Sequence, residues 1–88
     1  MAKEKVKKII DGDTFVTAQG TKVRLANVNA PEKGHKGAPQ ARQDLVNLIS
    51  RKQVNIDAVA RDPYGRVVAK VKIGTKSVNK AMKEKGWK

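Results

Sequence analysis

The sequence predicts a mainly β protein (α+β class) in which five strands form a small barrel and one helix follows the third strand. Two patterns support this: short alternating apolar runs bounded by Gly, Pro and Asp, and one amphipathic segment in the middle of the chain. The length of 88 residues suits one compact core. We therefore expect a single domain over residues 1–88, with the element order β-β-β-α-β-β-α.

The first three predicted strands are residues 6–10, 14–17 and 21–28, each a β-rich run. An Asp-Gly-Asp sequence separates the first two strands, and Gly20 supplies the turn before the third. The apolar alternation of the third strand shifts by one residue near Asn27. That shift predicts a bulge or another irregularity at this point.

The central helix is predicted over residues 39–51. Pro39 is favourable in the first turn of a helix, and apolar residues recur at helical spacing after it, at Ala41, Leu45, Leu48 and Ile49. A helix between the third and fourth strands is typical of the oligonucleotide-binding (OB) barrel. An SH3-like barrel is the alternative, but a mid-chain helix of about a dozen residues fits it poorly.

The last two predicted strands, residues 53–60 and 67–73, alternate apolar and polar side chains and are joined by a turn at residues 62–65. Ser77 can cap a short second helix that ends at Gly86. These elements complete the predicted barrel.

The charge of the chain indicates an anionic partner. Twenty Lys and Arg against eight Asp and Glu give a net charge of +12, which favours contact with nucleic acid phosphates, although scattered lysines also make a solubilising surface. There is no apolar run long enough for a membrane span and no apolar core of a signal peptide. We expect a monomer that meets DNA or RNA and no membrane, with a cytoplasmic location slightly favoured over a mature secreted form.

Half of the acidic residues lie in three short turn-forming segments, which are the candidate site. Asp11 and Asp13 flank a glycine, an arrangement that can present oxygen ligands to a hard cation, although Asp-Gly is also ordinary turn sequence. Arg24 lies in a strand, and Glu32 follows a proline just past its end. Asp62-Pro63-Tyr64-Gly65-Arg66 is a β-turn whose arginine can grip two phosphate oxygens.

Taken in order, these segments resemble the staphylococcal nuclease (thermonuclease) family, whose pattern runs D-G-D-T, then R-L and D-x-P-E, then D-x-Y-G-R. This sequence has D-G-D-T at 11–14, R-L at 24–25, N-A-P-E at 29–32 and D-P-Y-G-R at 62–66. The resemblance spans about residues 6–86 and includes Val78-Asn79 of a late helix. It implies a calcium-dependent endonuclease or phosphodiesterase that cuts DNA and RNA on an OB barrel.

The resemblance also implies roles for individual residues. The catalytic residues are Glu32, as general base, and Arg24 and Arg66, which bind the phosphate. One calcium ion is held by Asp13, Asn29 and Ala30, the last through its backbone carbonyl, with Asp11 as a supporting carboxylate. Tyr64 is a phosphate contact by the same resemblance. Apart from the resemblance, the Lys- and Gly-rich segment 33–37 offers Lys33 and Lys36 as contacts to the nucleic acid backbone, with a flexible exposed loop as the alternative. No catalytic role is expected for His35 in this loop.

Two departures from the family pattern qualify these expectations. Asn29 stands where the family has a calcium-binding Asp, and because calcium affinity depends on ligand charge, we expect weak binding. The chain also resembles a short form that ends before the family's C-terminal helix and nucleotide-contacting tyrosines. Two alternatives therefore stay open: a non-catalytic nucleic-acid-binding OB domain with an attenuated metal site, and a minimal barrel kept for folding rather than activity.

Overall fold

The computed structural model describes residues 2–88, which form six strands and two helices. In chain order these elements are β1 (Ala2–Asp11), β2 (Thr14–Thr17), β3 (Lys22–Leu25), α1 (Ala38–Ile49), β4 (Gln53–Arg61), β5 (Val67–Ile73), β6 (Lys76–Ser77) and α2 (Val78–Glu84). No helix within residues 2–88 has both the length and the apolar character that a membrane crossing requires.

The strands form one sheet in the order β3-β2-β1-β4-β5-β6, in which these neighbours pair antiparallel. A further, parallel pairing between β3 and β5 joins Val23 to Val67 and Leu25 to Ala69, so the sheet closes in a ring. This is a mainly β, OB-like fold with the central helix after the third strand. The predicted fold class is confirmed, and the predicted elements occur in the expected order, with one short strand added between the fifth strand and the second helix.

Three predicted details were wrong. A two-residue sixth strand, β6, pairs with the end of β5 where five strands were expected. The first strand begins at Ala2 rather than Val6. The third strand ends at Leu25 rather than at residue 28, because the chain turns at Ala26-Asn27, where Asn27 takes a left-handed φ of 60°. Asparagine tolerates that conformation better than most residues.

Two bulges shape β1 where it pairs with β2. Val6 pairs with Thr17 but Lys8 with Val16, and Ile9 pairs with Phe15 but Asp11 with Thr14, so β1 holds an extra residue at two points. A bulge breaks the strict alternation of faces. As a result Lys7 and Lys8 are both exposed, and Ile10 is exposed beside the buried Ile9.

The core lies inside the ring, under α1 and α2. Its largest fully buried side chains come from strands and helices alike: Phe15, Leu25, Leu45, Ile49 and Met82. Helix α1 packs the side chains at its predicted spacing inward, and Ser77 caps α2 by accepting a hydrogen bond from the Lys80 N–H at 3.1 Å. Trp87 packs against the core, and its indole N–H donates to Asp44 of α1 at 2.8 Å.

Candidate functional site

A pocket of about 340 Å³ opens where the ends of several elements meet. Its lining comes from the end of β1, the starts of β2 and β3, the loop before α1 and the turn between β4 and β5: Ile10, Asp11, Thr14, Lys22, Glu32, Tyr64 and Arg66. We call this the site pocket. It brings together four of the sequence-predicted site residues, namely Asp11, Glu32, Tyr64 and Arg66.

The turn between β4 and β5 holds Arg66 in place. Asp62 Oδ1 accepts the backbone N–H groups of Tyr64 at 3.0 Å and Arg66 at 2.9 Å, and Oδ2 accepts Arg66 Nε. Arg66 Nη1 lies 3.4 Å from Thr14 Oγ1, and its guanidinium lies 5.6 Å from the centre of the Tyr64 ring. The guanidinium of this pocket-lining residue is therefore anchored through Nε, and its other N–H groups can serve a ligand.

Asp13 is 7% exposed and does not line the site pocket. Its Oδ1 accepts the Thr14 hydroxyl at 2.9 Å, and its Oδ2 accepts the Ala30 N–H at 3.1 Å. Arg24 Nη2 lies 3.4 Å from the same Oδ2. Asp13 thus ties the turn after β1 to the loop that carries Glu32.

Arg24, like Asp13, does not line the site pocket. Its Nη1 donates to the carbonyls of Leu25 at 2.8 Å and Val28 at 3.0 Å, and its Nη2 donates to Asn29 Oδ1 at 2.9 Å. A guanidinium has five N–H groups, and both of those on Nη1 are used here. In this arrangement Arg24 stabilises the turn after β3.

Eight of the ten predicted site residues therefore form two neighbouring groups. One lines the site pocket, and the other comprises Asp13, Arg24, Asn29 and Ala30. Thr14 connects them, because its hydroxyl donates to Asp13 and approaches Arg66. The sequence analysis assigned no site role to Thr14, Lys22 or Asp62. The signal for Thr14 was its place in the D-G-D-T motif. The signal for Asp62 was its i,i+4 spacing from Arg66.

The loop before α1 carries Glu32 and the two remaining predicted residues, Lys33 and Lys36. Glu32 is exposed, and its backbone carbonyl accepts the His35 N–H at 3.0 Å. Asp11 Oδ1 accepts the Lys33 N–H at 3.2 Å, which ties this loop to the end of β1. Lys36 is exposed on the same loop and does not line the site pocket.

Close packing at Gly12 sets the position of the Asp11-Gly12-Asp13 turn. A Cβ on Gly12 would lie 2.6 Å from Ala41 Cβ and 2.8 Å from Ala30 Cβ, distances that real Cβ atoms do not show. The turn can sit against α1 and the Glu32 loop only because residue 12 has no side chain.

The oxygen atoms near Asp13 are of the chemical types that bind calcium. Asp13 Oδ2 and Asn29 Oδ1 lie 3.4 Å and 2.9 Å from the same Arg24 nitrogen, so the two expected ligands are close together. Carboxylate, amide and carbonyl oxygens are the ligands that calcium prefers. Within residues 2–88, however, no three His, Cys, Asp or Glu side chains cluster as a metal centre. The donor types are those of a calcium site, but little negative charge surrounds them and Arg24 contacts both oxygens.

The chain matches one family model and several curated proteins. The model of the family described as Staphylococcal nuclease homologue matches residues 22–87. Protein ParB of Escherichia coli and Micrococcal nuclease of Shigella flexneri are each 41% identical over 69 residues, 75% of this chain but 39% and 40% of their own lengths. An uncharacterized endonuclease of Haemophilus influenzae is 33% identical over 86 residues, 93% of this chain and 48% of its own.

The chain spans less than half the length of these relatives. The matched region nevertheless includes Arg24, Asn29, Glu32 and the turn that holds Arg66. Because the family model covers most of the chain, this protein belongs to the staphylococcal nuclease family.

Proposed function

We propose that this domain hydrolyses the phosphodiester bonds of DNA or RNA. The observation that carries the proposal is the site pocket, in which an exposed carboxylate, Glu32, and an anchored guanidinium, Arg66, line one cavity. The relatives named as nucleases and endonucleases support the same class of reaction. A single domain that acts as a monomer remains our working description.

Arg66 is the group that we assign to the phosphate. A phosphodiester is anionic, and further negative charge develops on its oxygens as a nucleophile attacks. Asp62 already fixes the Arg66 guanidinium, so little reorganisation is needed when the phosphate binds. Tyr64 is 81% exposed beside Arg66 and is available to contact the nucleotide.

Glu32 is assigned as the general base. Its carboxylate lines the pocket and is open to solvent, so a water molecule can lie between it and a phosphate bound at Arg66. Removal of a proton from that water makes it a better nucleophile towards phosphorus. Arg24 is assigned to the phosphate by family resemblance, and here its Nη atoms hold the neighbouring turn, so we expect it to act chiefly on the position of the Glu32 loop.

Calcium is proposed as the cofactor, with Asp13, Asn29 and the Ala30 carbonyl as its ligands and Asp11 in support. When bound, the ion supplies a compact positive charge that polarises phosphate oxygens and lowers the pKa of its water. Lys33 and Lys36 remain proposed contacts to the nucleic acid backbone.

Cleavage of denatured DNA tests the catalytic proposal. Glu32→Gln should lower the cleavage rate about 10²–10⁴-fold, because a general base is lost. Arg66→Ala should lower it about 10²–10³-fold, because charge stabilisation is lost. Glu84→Gln removes an exposed carboxylate from α2 and is the control. If both site variants cleave as fast as this control and cleavage also survives chelation, the proposal is wrong; survival of chelation alone would refute calcium as the cofactor.

A non-catalytic nucleic-acid-binding domain is the second candidate, and the amide at residue 29 favours it. Asn29 adds no charge next to Asp13, and Arg24 already occupies its oxygen. Asn29→Asp should restore a carboxylate and tighten calcium binding at least tenfold, about 1.4 kcal/mol. Calorimetric titration of calcium measures this, with the exposed Asn47→Asp as control.

The two candidates differ in the effect of that substitution on cleavage. An attenuated nuclease should gain activity with Asn29→Asp, whereas a binding domain should gain calcium affinity and no cleavage. Equal calcium affinity in the Asn29 and Asn47 variants would contradict the assigned metal ligands.

A further inference from the structure

The two bulges of β1 expose a row of side chains that leads away from the site pocket. Without them, alternation would turn every second residue of β1 inward. With them, Lys7, Lys8 and Ile10 all face outward, while Val6 and Ile9 stay in the core. The row ends at Asp11, which lines the site pocket.

Two further cavities continue the site pocket along β1 and α1. One, of about 630 Å³, shares Ile10 and Asp11 with the site pocket and is also lined by Lys8, Lys33 and Arg42. The other, of about 300 Å³, shares Lys8 and Arg42 with it and reaches Arg51 at the end of α1. We call these two cavities together the basic groove.

The charge of the basic groove is strongly positive. Its ionisable lining is one carboxylate, Asp11, against five cations: Lys7, Lys8, Lys33, Arg42 and Arg51. Arg42 is anchored, because its Nε donates to the Ile9 carbonyl at 3.0 Å, and its remaining N–H groups can serve a ligand.

Arg51 occupies a backbone conformation that glycine or asparagine usually takes. Its φ is 61°, just past the end of α1. A long cationic side chain at such a position stabilises the helix end less well than glycine would. Backbone preference would favour glycine at residue 51, so we attribute the arginine at this position to its charge.

We propose that the basic groove binds the continuation of a single-stranded nucleic acid whose reacting phosphate lies in the site pocket. The proposal rests on the proposed function and adds the path of the strand. Cations spaced along the groove match successive phosphates, and the exposed Ile10 and Tyr64 side chains offer apolar contact to sugars and bases near the reacting phosphate. OB folds bind about 4–16 nucleotides of single strand, enough to fill both cavities.

The experiment measures binding apart from cleavage. A fluorescein-labelled 12-nucleotide DNA strand is titrated by anisotropy with protein that carries Glu32→Gln, at several salt concentrations. Added to this background are Lys7→Gln/Lys8→Gln or Arg51→Gly. The control is Lys70→Gln/Lys72→Gln, which removes the same charge from exposed positions of β5 outside the groove. Thermal unfolding checks the fold of each variant.

For the Lys7/Lys8 variant, we expect the slope of log K against log salt to become shallower by about 1.4, since each phosphate contact on a single strand contributes about 0.7. Arg51→Gly should make it shallower by about 0.7 without lowering the melting temperature. The Lys70/Lys72 control should keep the original slope. Equal changes in the control and the groove variants, or unchanged slopes in all of them, would overturn the proposal.

Failure of the groove and failure of the nuclease function are separable. Groove-dependent binding by a chain that never cleaves DNA would refute the proposed function and leave the strand path standing. Conversely, if the chain with Glu32 intact cleaves the 12-mer, and Lys7→Gln/Lys8→Gln and Arg51→Gly on that chain bind and cleave it equally well, the strand path is refuted and the nuclease function stands.

Discussion

Asp62 is the residue that determines where Arg66 points. Its carboxylate accepts two backbone N–H groups and one guanidinium N–H within a five-residue turn. Burial alone would raise the pKa of Asp62, but the Arg66 and Tyr64 donors and the Arg66 charge outweigh it and hold the pKa below its ordinary value of 3.8. The ionised form is therefore the one that the folded chain prefers.

The pH dependence of the melting temperature in an Asp62→Asn variant tests the preference for the ionised form. A carboxyl group whose pKa is lower in the folded state stabilises the fold above its unfolded pKa, and the stabilisation disappears as the pH falls through the folded value. We expect the melting temperature of the unmodified chain to be steady near neutral pH and to fall below about pH 4. The Asp62→Asn variant should have a lower melting temperature than the unmodified chain at neutral pH. Its melting temperature should also fall less on acidification.

Melting curves between pH 2 and 7 measure this, with the exposed Asp57→Asn as control. Part of the acid loss should remain in the Asp62 variant, because the Trp87 hydrogen bond also lowers the pKa of Asp44. Identical pH profiles for the two variants would contradict the role assigned to Asp62.

The residue types of the candidate site could be predicted from the motifs, but their partners could not. Arg24 is predicted to bind phosphate, which stays a prediction, and its contacts from Nη1 to the Leu25 and Val28 carbonyls were not part of that prediction. Those carbonyls become available because β3 stops at Leu25 and the chain turns, a feature that depends on backbone geometry rather than on residue type. Spacing alone does not show which polar groups a turn will leave without a strand partner.

At the scale of the elements, the Asp11-Gly12-Asp13 turn packs closely against α1. Gly12→Ala should destabilise the fold by about 1–3 kcal/mol, because the new methyl group meets Ala41 and Ala30. Urea denaturation measures the change. Adding Ala30→Gly should recover only part of it, since the Ala41 contact remains. A Gly12→Ala chain as stable as the original would show that the turn can shift without loss.

The bulges of β1 were not predicted, although the sequence holds a signal for them. Two like residues in succession occur twice, as Lys7-Lys8 and Ile9-Ile10, where a regular strand would alternate. The irregularity near Asn27 was foreseen for the same reason but proved to be a turn. Apolar periodicity locates strands well, and it locates their interruptions less well because a bulge and a turn both shift the pattern by one residue.

On the scale of the whole molecule, the seam between β3 and β5 closes the sheet, and Asn79 reinforces it from α2. Asn79 is 8% exposed; its Oδ1 accepts the Val71 N–H at 2.8 Å, and its Nδ2 donates to the carbonyls of Ala26 at 2.9 Å and Ala69 at 3.1 Å. One buried side chain of α2 therefore connects the turn after β3 to β5.

Asn79→Ala should lower the free energy of unfolding by about 2–3 kcal/mol, because buried backbone groups lose their partners. Asn47→Ala, at an exposed position of α1, should change it by less than about 0.5 kcal/mol. Chemical denaturation of both variants makes the comparison. Equal losses in the two variants would show that the seam does not depend on Asn79.

The seam also determines when during folding the candidate site is assembled. Arg24 pairs with Val68 across it, and Arg66 immediately precedes β5, so both arginines reach their places through strands far apart in the chain. Pairing between distant segments forms slowly, because a long loop must be closed first. Local hairpins can form early, but Arg24 and Arg66 come together only when β3 and β5 pair, so we expect the proposed cleavage to reappear together with the complete native state and not before it.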